Sequence, residues 1–136
     1  MMKSVNTILL IDDDETTNYL NHRLLSRMEV APDIRVVTDG DEALNYLKKA
    51  FAGEAEYARP DLIFVDIKMS GMDGFEFLEE YQKIPAEQKE NIVMLMLTSS
   101  ASFYDLEKLK QFPDVRKHYS KPLAEADVRE IMVTYF

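Results

Sequence analysis
The sequence predicts an α/β fold, a doubly wound parallel five-stranded sheet with helices on both faces. Two observations carry this: short branched-apolar runs of strand length recur along the chain, and amphipathic stretches of helical period separate them. A third is that the runs are almost continuously apolar, as strands buried on both faces are, where strands with one wet face would alternate. Such alternation joins parallel strands through right-handed helical crossovers.

The elements follow in order. Ile8 to Ile11 reads as the first strand and Thr16 to Met28 as the first helix, with Tyr19, Leu20, Leu24 and Met28 as its apolar stripe. Ile34 to Val37 is the second strand, and Asp41 to Phe51 a helix carrying Leu44, Leu47 and Phe51 on one side. Leu62 to Val65 is the most apolar, central strand, followed by a helix over Phe75 to Tyr81 with Phe75, Leu78 and Tyr81. Ile92 to Leu97 is the fourth strand, and Phe103 to Phe112 a helix with Phe103, Leu106, Leu109 and Phe112 on its stripe. The fifth strand, Val115 to Tyr119, has the weakest signal and is placed by the helix after it, marked by Val128, Ile131, Met132 and Tyr135. Asp14 reads as the N-cap of the first helix, while Asp39-Gly40 and Asp73-Gly74 read as turns that start helices.

A chain of 136 residues matches one domain, expected to span 1–136 with no output domain after the last helix. Its composition, 46% hydrophobic and 30% charged with four Gly and five Pro, excludes a disordered or collagenous chain. A formal net charge of −9 disfavours nucleic acid and anionic membranes and favours a cation or basic partner. Without cysteine there are no disulfides, thiolate metal sites or cysteine nucleophiles. The lead from Met1 through Ser4 to Asn6 runs into too few apolar residues for a signal peptide, and the longest apolar run, Ile92 to Leu97, is far short of the about 20 residues that span a bilayer. A cytoplasmic location is the default expectation.

Ligands of open parallel α/β sheets bind beyond the carboxyl ends of the strands. Here those ends carry Asp12-Asp13-Asp14-Glu15, Asp66, Thr98-Ser99-Ser100 and Ser120-Lys121-Pro122. Asp12, Asp13 and Asp66 on one rim repel one another and need a cation. Oxygen donors alone, with no Cys and no nearby His, favour a hard divalent ion, Mg2+ or Mn2+, over zinc. Lys121 adds a fixed positive charge and Thr98 a hydroxyl donor, the two groups that hold phosphoryl oxygens. The nucleophile of such a phosphoryl-transfer site is a carboxylate, because no hydroxyl here has a paired base. Asp66, projecting from the most apolar strand, is the choice, which leaves Asp12 and Asp13 as metal ligands.

Ile-Asp-Asp at 11–13, Val-Asp-Ile-Lys-Met at 65–69, Met-Asp-Gly at 72–74, Leu-Thr-Ser at 97–99 and Lys-Pro at 121–122, in this order, resemble the receiver domains of bacterial two-component response regulators, the family of the chemotaxis response regulator. The resemblance covers Thr7 to Tyr135. It implies a flavodoxin-like (βα)5 sheet of strand order 2-1-3-4-5, and a phosphoacceptor that is not a turnover enzyme. It further implies that Asp66 is phosphorylated by a histidine kinase or histidine phosphotransfer protein. Asp13 would bind Mg2+ directly with Asp12 assisting, and Asp66 and the main-chain carbonyl of Lys68 would complete the shell. Thr98 would move to the phosphate, Lys121 would pair with it, and the bond before Pro122 would be cis. A protein-interaction surface would switch in response, toward a downstream protein.

Three positions depart from the family pattern. Ser70 stands where the family usually has Pro, which should loosen the loop beside Asp66. His118 occupies the aromatic switch position, with Tyr119 beside it, so the residue there is an imidazole where the family has a Tyr or Phe ring. Ser99 and Ser100 are small enough to leave an acyl phosphate open to water and to autodephosphorylation. His22 reads as a surface residue without a role, and the methionines as core packing. Phe103, Tyr104 and Tyr135 are either core or a partner face, on which a second copy of the chain could pair through the fourth and fifth helices.

Two rival readings stay open at this level. Asp12-x-Asp14-x-Thr16 satisfies the motif of haloacid-dehalogenase-like phosphatases, although only Glu125 and Asp127 follow Lys121 as acids at a helix start. The other rival is a receiver-like interaction module that is never phosphorylated; such modules typically lose an acid or the lysine, and none is lost here.

Overall fold
The computed structural model describes residues 5–99 and 102–136; Met1 to Ser4 and Ser100, named above, lie outside the described residues. The elements are β1 (Thr7–Ile11), α1 (Glu15–Arg27), β2 (Asp33–Val37), α2 (Gly40–Phe51), β3 (Leu62–Asp66), α3 (Gly74–Gln82), β4 (Val93–Thr98), α4 (Phe103–Leu109), β5 (Val115–Ser120) and α5 (Glu125–Tyr135). All strand pairings are parallel, and the order is β2-β1-β3-β4-β5. This is the flavodoxin-like arrangement expected above.

Successive side chains of a strand point to opposite faces, so each central strand feeds two cores. Leu9, Ile11, Ile63, Val65, Met94 and Met96 pack with Leu47 of α2 and Leu78 and Tyr81 of α3. Their neighbours Ile8, Leu10, Leu62, Phe64, Leu95 and Leu97 pack with Leu25 of α1 and Val128 and Ile131 of α5. Every residue of β1, β3 and β4 is buried, which explains their unbroken apolar runs. β5 is an edge strand in which only Tyr119 is buried, and a bulge shifts its register between Met94 and Leu95 of β4. An edge needs few apolar residues, hence its faint sequence signal.

Helix starts follow the acids. Asp14, Asp39 and Asp73 cap α1, α2 and α3 by accepting from Thr16, Glu42 and Glu76 N–H groups, and Asp73 with Glu76 forms a reciprocal capping box. Two helices differ from the sequence expectation. Only half of the stripe read on α1 meets the core: Leu24 and Met28 pack against it partly buried, but Tyr19 is 63% exposed and Leu20 40%, while Thr17, Asn18, Asn21 and Leu25 are buried. Hydrogen bonding turns the helix. Asn18 Nδ2 donates to the Asp12 carbonyl at 2.8 Å, and Asn21 Oδ1 accepts from Leu123 N–H at 2.9 Å. Leaving either buried main-chain group unpaired would cost about 1–3 kcal/mol.

The second difference is α4, which stops at Leu109 and buries none of its residues. Phe112 lies beyond the helix, yet is buried and stacks on Phe75 with centroids 6.1 Å apart. Phe103 and Tyr104 are 79% and 72% exposed, so they are surface and not core. Tyr135 is half-buried against the α1/α5 side.

Gly74 matters for the site because α3 begins almost against the end of β3. A Cβ at Gly74 would sit 2.2 Å from the Asp66 carbonyl oxygen and 2.8 Å from Ile67 Cα, both backbone atoms. Gly74→Ala should therefore destabilise the fold by about 1–3 kcal/mol and displace Asp66. Urea unfolding will measure the first effect, and amide chemical shifts of Val65 to Lys68 the second.

Candidate functional site
The carboxyl ends of β1, β3, β4 and β5 bring the acids and the lysine to one rim. Asp12 follows β1 directly, held in the sheet by its N–H to Val37 carbonyl at 3.1 Å, and its Oδ1 accepts from Asp14 N–H at 2.9 Å. Asp66 is the last residue of β3, and Thr98 the last of β4. All three are buried. Lys121 follows β5; its main-chain N–H donates to Thr98 carbonyl at 3.0 Å, and the peptide bond to Pro122 is cis, as the resemblance implied.

Lys121 Nζ reaches Asp12 Oδ2 at 3.0 Å and Asp66 Oδ2 at 3.1 Å, with its side chain only 10% exposed. It is no solvated surface lysine. Burial acts to lower its pKa, but the two carboxylates outweigh that and hold the ammonium above its usual value. Asp66 shows the opposite balance. Burial and then the neighbouring Asp12 charge push its pKa up to about 6, against the pull of Lys121 and of the Lys68 N–H. One ammonium does not neutralise two buried carboxylates.

Asp13 is exposed and completes the cluster: Asp12, Asp13 and Asp66 each offer a carboxylate oxygen, all within 4.8 Å of one another. Three hard oxygen donors carrying surplus negative charge fit a Mg2+-type cation and do not suit a soft one. Ser70 ties its loop to the cluster, with its N–H and Oγ both 2.9 Å from Asp13 Oδ2. Gly71, at φ +69°, turns the chain immediately afterwards. Lys68 contributes its N–H to Asp66.

Asp14 is spent on α1, accepting from Thr16 N–H at 3.1 Å and Thr17 Oγ1 at 2.6 Å. The Asp-x-Asp-x-Thr reading thus loses its second acid, and Asp127 is likewise engaged with Ala124 N–H at 3.0 Å. His22 is exposed with Ser26 Oγ 3.3 Å from its Nδ1, and takes no part in the site. His118 is exposed on β5 and lines a groove of about 290 Å³ with Leu106, Leu109 and Lys110 of the α4 side. Asn18 and Asn21 were missed as site residues. Two asparagines three apart on a face that should be apolar were the available signal.

A family model described as the response regulator receiver domain matches residues 8–133. The chain belongs to this family. Among solved structures, a two-component response regulator from Cytophaga hutchinsonii matches this receiver domain with a TM-score of 0.86 and 28% identity, over 98% of both chains. The probable methanogenesis regulatory protein of Methanothrix harundinacea is 28% identical over 90% of this chain and 76% of its own length. Hybrid signal transduction histidine kinase L of Dictyostelium discoideum is 28% identical over 98% of this chain, which spans only 7% of that kinase. As a receiver domain the chain is a phosphoacceptor of two-component signalling, a class that works with histidine kinases or phosphotransfer proteins. Among the described residues, no helix is long and apolar enough to cross a membrane.

The raised Asp66 pKa has a definite sign in stability. Between about pH 4 and pH 6 the folded protein holds the Asp66 proton more tightly than the unfolded chain, so this contribution is present at low pH and lost as pH rises through about 6. Asp66→Asn should therefore raise the melting temperature of the metal-free protein at pH 7 by roughly 3–6 °C, the shift that about 1 kcal/mol produces in a domain of this size. The gain should vanish near pH 4. Lys121→Met should do the reverse at pH 7, costing about 3 kcal/mol by leaving two buried carboxylates without their cation. Thermal melts in EDTA at the two pH values will check both.

Proposed function
We propose that Asp66 accepts a phosphoryl group from the phosphohistidine of a histidine kinase or phosphotransfer protein, in the cytoplasm. The observation that carries the reading is the Asp66 carboxylate itself: buried at the end of the central strand, within reach of one lysine, and poorly neutralised. With a pKa of about 6 it is largely ionised at neutral pH, yet more basic than an ordinary aspartate, which favours it as nucleophile. An Asp66 oxygen attacks phosphorus, the P–N bond breaks, and its electron pair returns to the imidazole, which takes up a proton. Lys121 then exchanges one of its carboxylate partners for a phosphoryl oxygen.

Asp12, Asp13 and Asp66, with the Lys68 carbonyl, would hold Mg2+, or Mn2+ in its place; the ion supplies charge neutralisation to the phosphoryl oxygens. Thr98 donates its hydroxyl to the phosphoryl group. As the hydroxyl moves to the phosphoryl group it vacates space behind β4, and the surface of α4, β5 and α5 around His118 changes population between two states. That surface passes the signal to a downstream protein or to a second copy of the chain. Because the acyl phosphate consumes the carboxylate, Asp66 is an acceptor regenerated by hydrolysis, and the chain is no turnover enzyme.

Incubation with acetyl phosphate and Mg2+ should add one phosphoryl group, read by intact mass, and Asp66→Asn should abolish it apart from a slow trace on Asp13. Labelling of that variant at the parent rate would overturn the assignment. Steady-state hydrolysis of a generic phosphomonoester should be absent; its presence would restore the phosphatase reading.

A further inference from the structure
Ser70 and Asp13 are 57 residues apart in sequence, and the only hydrogen bonds described for Asp13 run to Ser70. Both end on the same oxygen, Oδ2, each at 2.9 Å. A carboxylate oxygen has about two lone-pair sites. Oδ2 is therefore filled, and Asp13 has one oxygen left to offer a cation without giving up a bond. A proline at position 70 would have neither N–H nor hydroxyl and could form neither bond.

The two common hard divalent cations respond differently to that restriction. Mg2+ takes single oxygens in near-ideal octahedral geometry, whereas Ca2+ accepts more ligands and often binds a carboxylate through both oxygens. We propose that Ser70 is a specificity-determining positioning residue for the cation: by occupying Asp13 Oδ2 it holds Asp13 as a one-oxygen ligand, which favours Mg2+ and disfavours Ca2+. The inference rests on the cation site of the proposed function. Hydrogen bonds to a metal-ligating side chain typically alter affinity by about 10–100-fold, and the solvent exposure of both Ser70 and Asp13 puts the effect here at the low end of that range.

The test is titration of the full chain with MgCl2 or CaCl2 alone, followed by backbone-amide NMR, in the parent and in Ser70→Ala, Ser70→Pro and Ser70→Thr. Ser70→Ala removes one bond, Ser70→Pro removes both, and Ser70→Thr keeps both. The Mg2+ Kd should rise severalfold in Ser70→Ala and at least as much in Ser70→Pro, and stay at the parent value in Ser70→Thr. The Ca2+ Kd should rise less or fall, so that the preference for Mg2+ narrows. Metal-free melts will verify that each variant is folded. Parent-like Mg2+ affinity and Mg2+/Ca2+ preference in Ser70→Ala overturn the role of Ser70, whether or not Ser70→Pro is altered, because a proline ring reshapes the loop by itself. A parent protein that binds neither ion overturns the cation site instead.

Discussion
The shared ion pair of Lys121 with Asp12 and Asp66 is the constraint on which the rest of the rim depends. It joins the end of β5 to the ends of β1 and β3, while the Lys121 N–H holds the end of β4 through Thr98. Four strands thus deliver their terminal residues to one small volume. The pairing also leaves a deficit, since two buried carboxylates face one ammonium. A deficit of that kind destabilises the metal-free protein and at the same time makes the site receptive to a cation. The affinity of these acids for a cation and their cost to the metal-free fold have one electrostatic origin.

The scaffold around that pair is built to hold it still. β1, β3 and β4 are buried on both faces, α3 starts against the Asp66 carbonyl with only a glycine between, and α1 turns two asparagines inward to grip the Asp12 carbonyl and the residue after Pro122. Burying Asn18 and Asn21 in place of Tyr19 and Leu20 sacrifices apolar contact for control of the two loops that carry Asp12 and Lys121. Hydrogen bonds are directional and hydrophobic contacts are not, so the former fix the orientation of the backbone that carries Asp12 and Lys121.

The opposite tendency governs the α4 and β5 side. α4 contributes no buried residue, and β5 is an edge strand with one buried side chain. Elements with few buried contacts open and shift at low free-energy cost. Under the proposed function, a displacement at Thr98 would meet less resistance on this sparsely buried face than within the buried sheet. His118 lies on that face, whereas Tyr119 points the other way, buried and bonded through its hydroxyl to Glu130 of α5 at 2.9 Å.

Periodicity, caps and residue order by themselves determined much of this protein. Period-2 and period-3.6 patterns are local, so five strands, five helices and their parallel class were legible, with ends shifted by at most three residues. Asp12, Asp66 and Thr98 were legible as rim residues because each immediately follows or ends an apolar strand, and Lys121 because it precedes Pro122 just after the fifth strand; a parallel sheet sends all such positions to one rim. The face α1 buries was not legible, because a hydropathy stripe cannot show that a main-chain N–H at Leu123 needs Asn21, 102 residues earlier. Nor was the grip of Ser70 on Asp13, nor the sharing of one ammonium between residues 12 and 66, lying 109 and 55 positions from Lys121. Those are through-space pairings whose strength depends on distance and burial, quantities that exist only once the chain has folded.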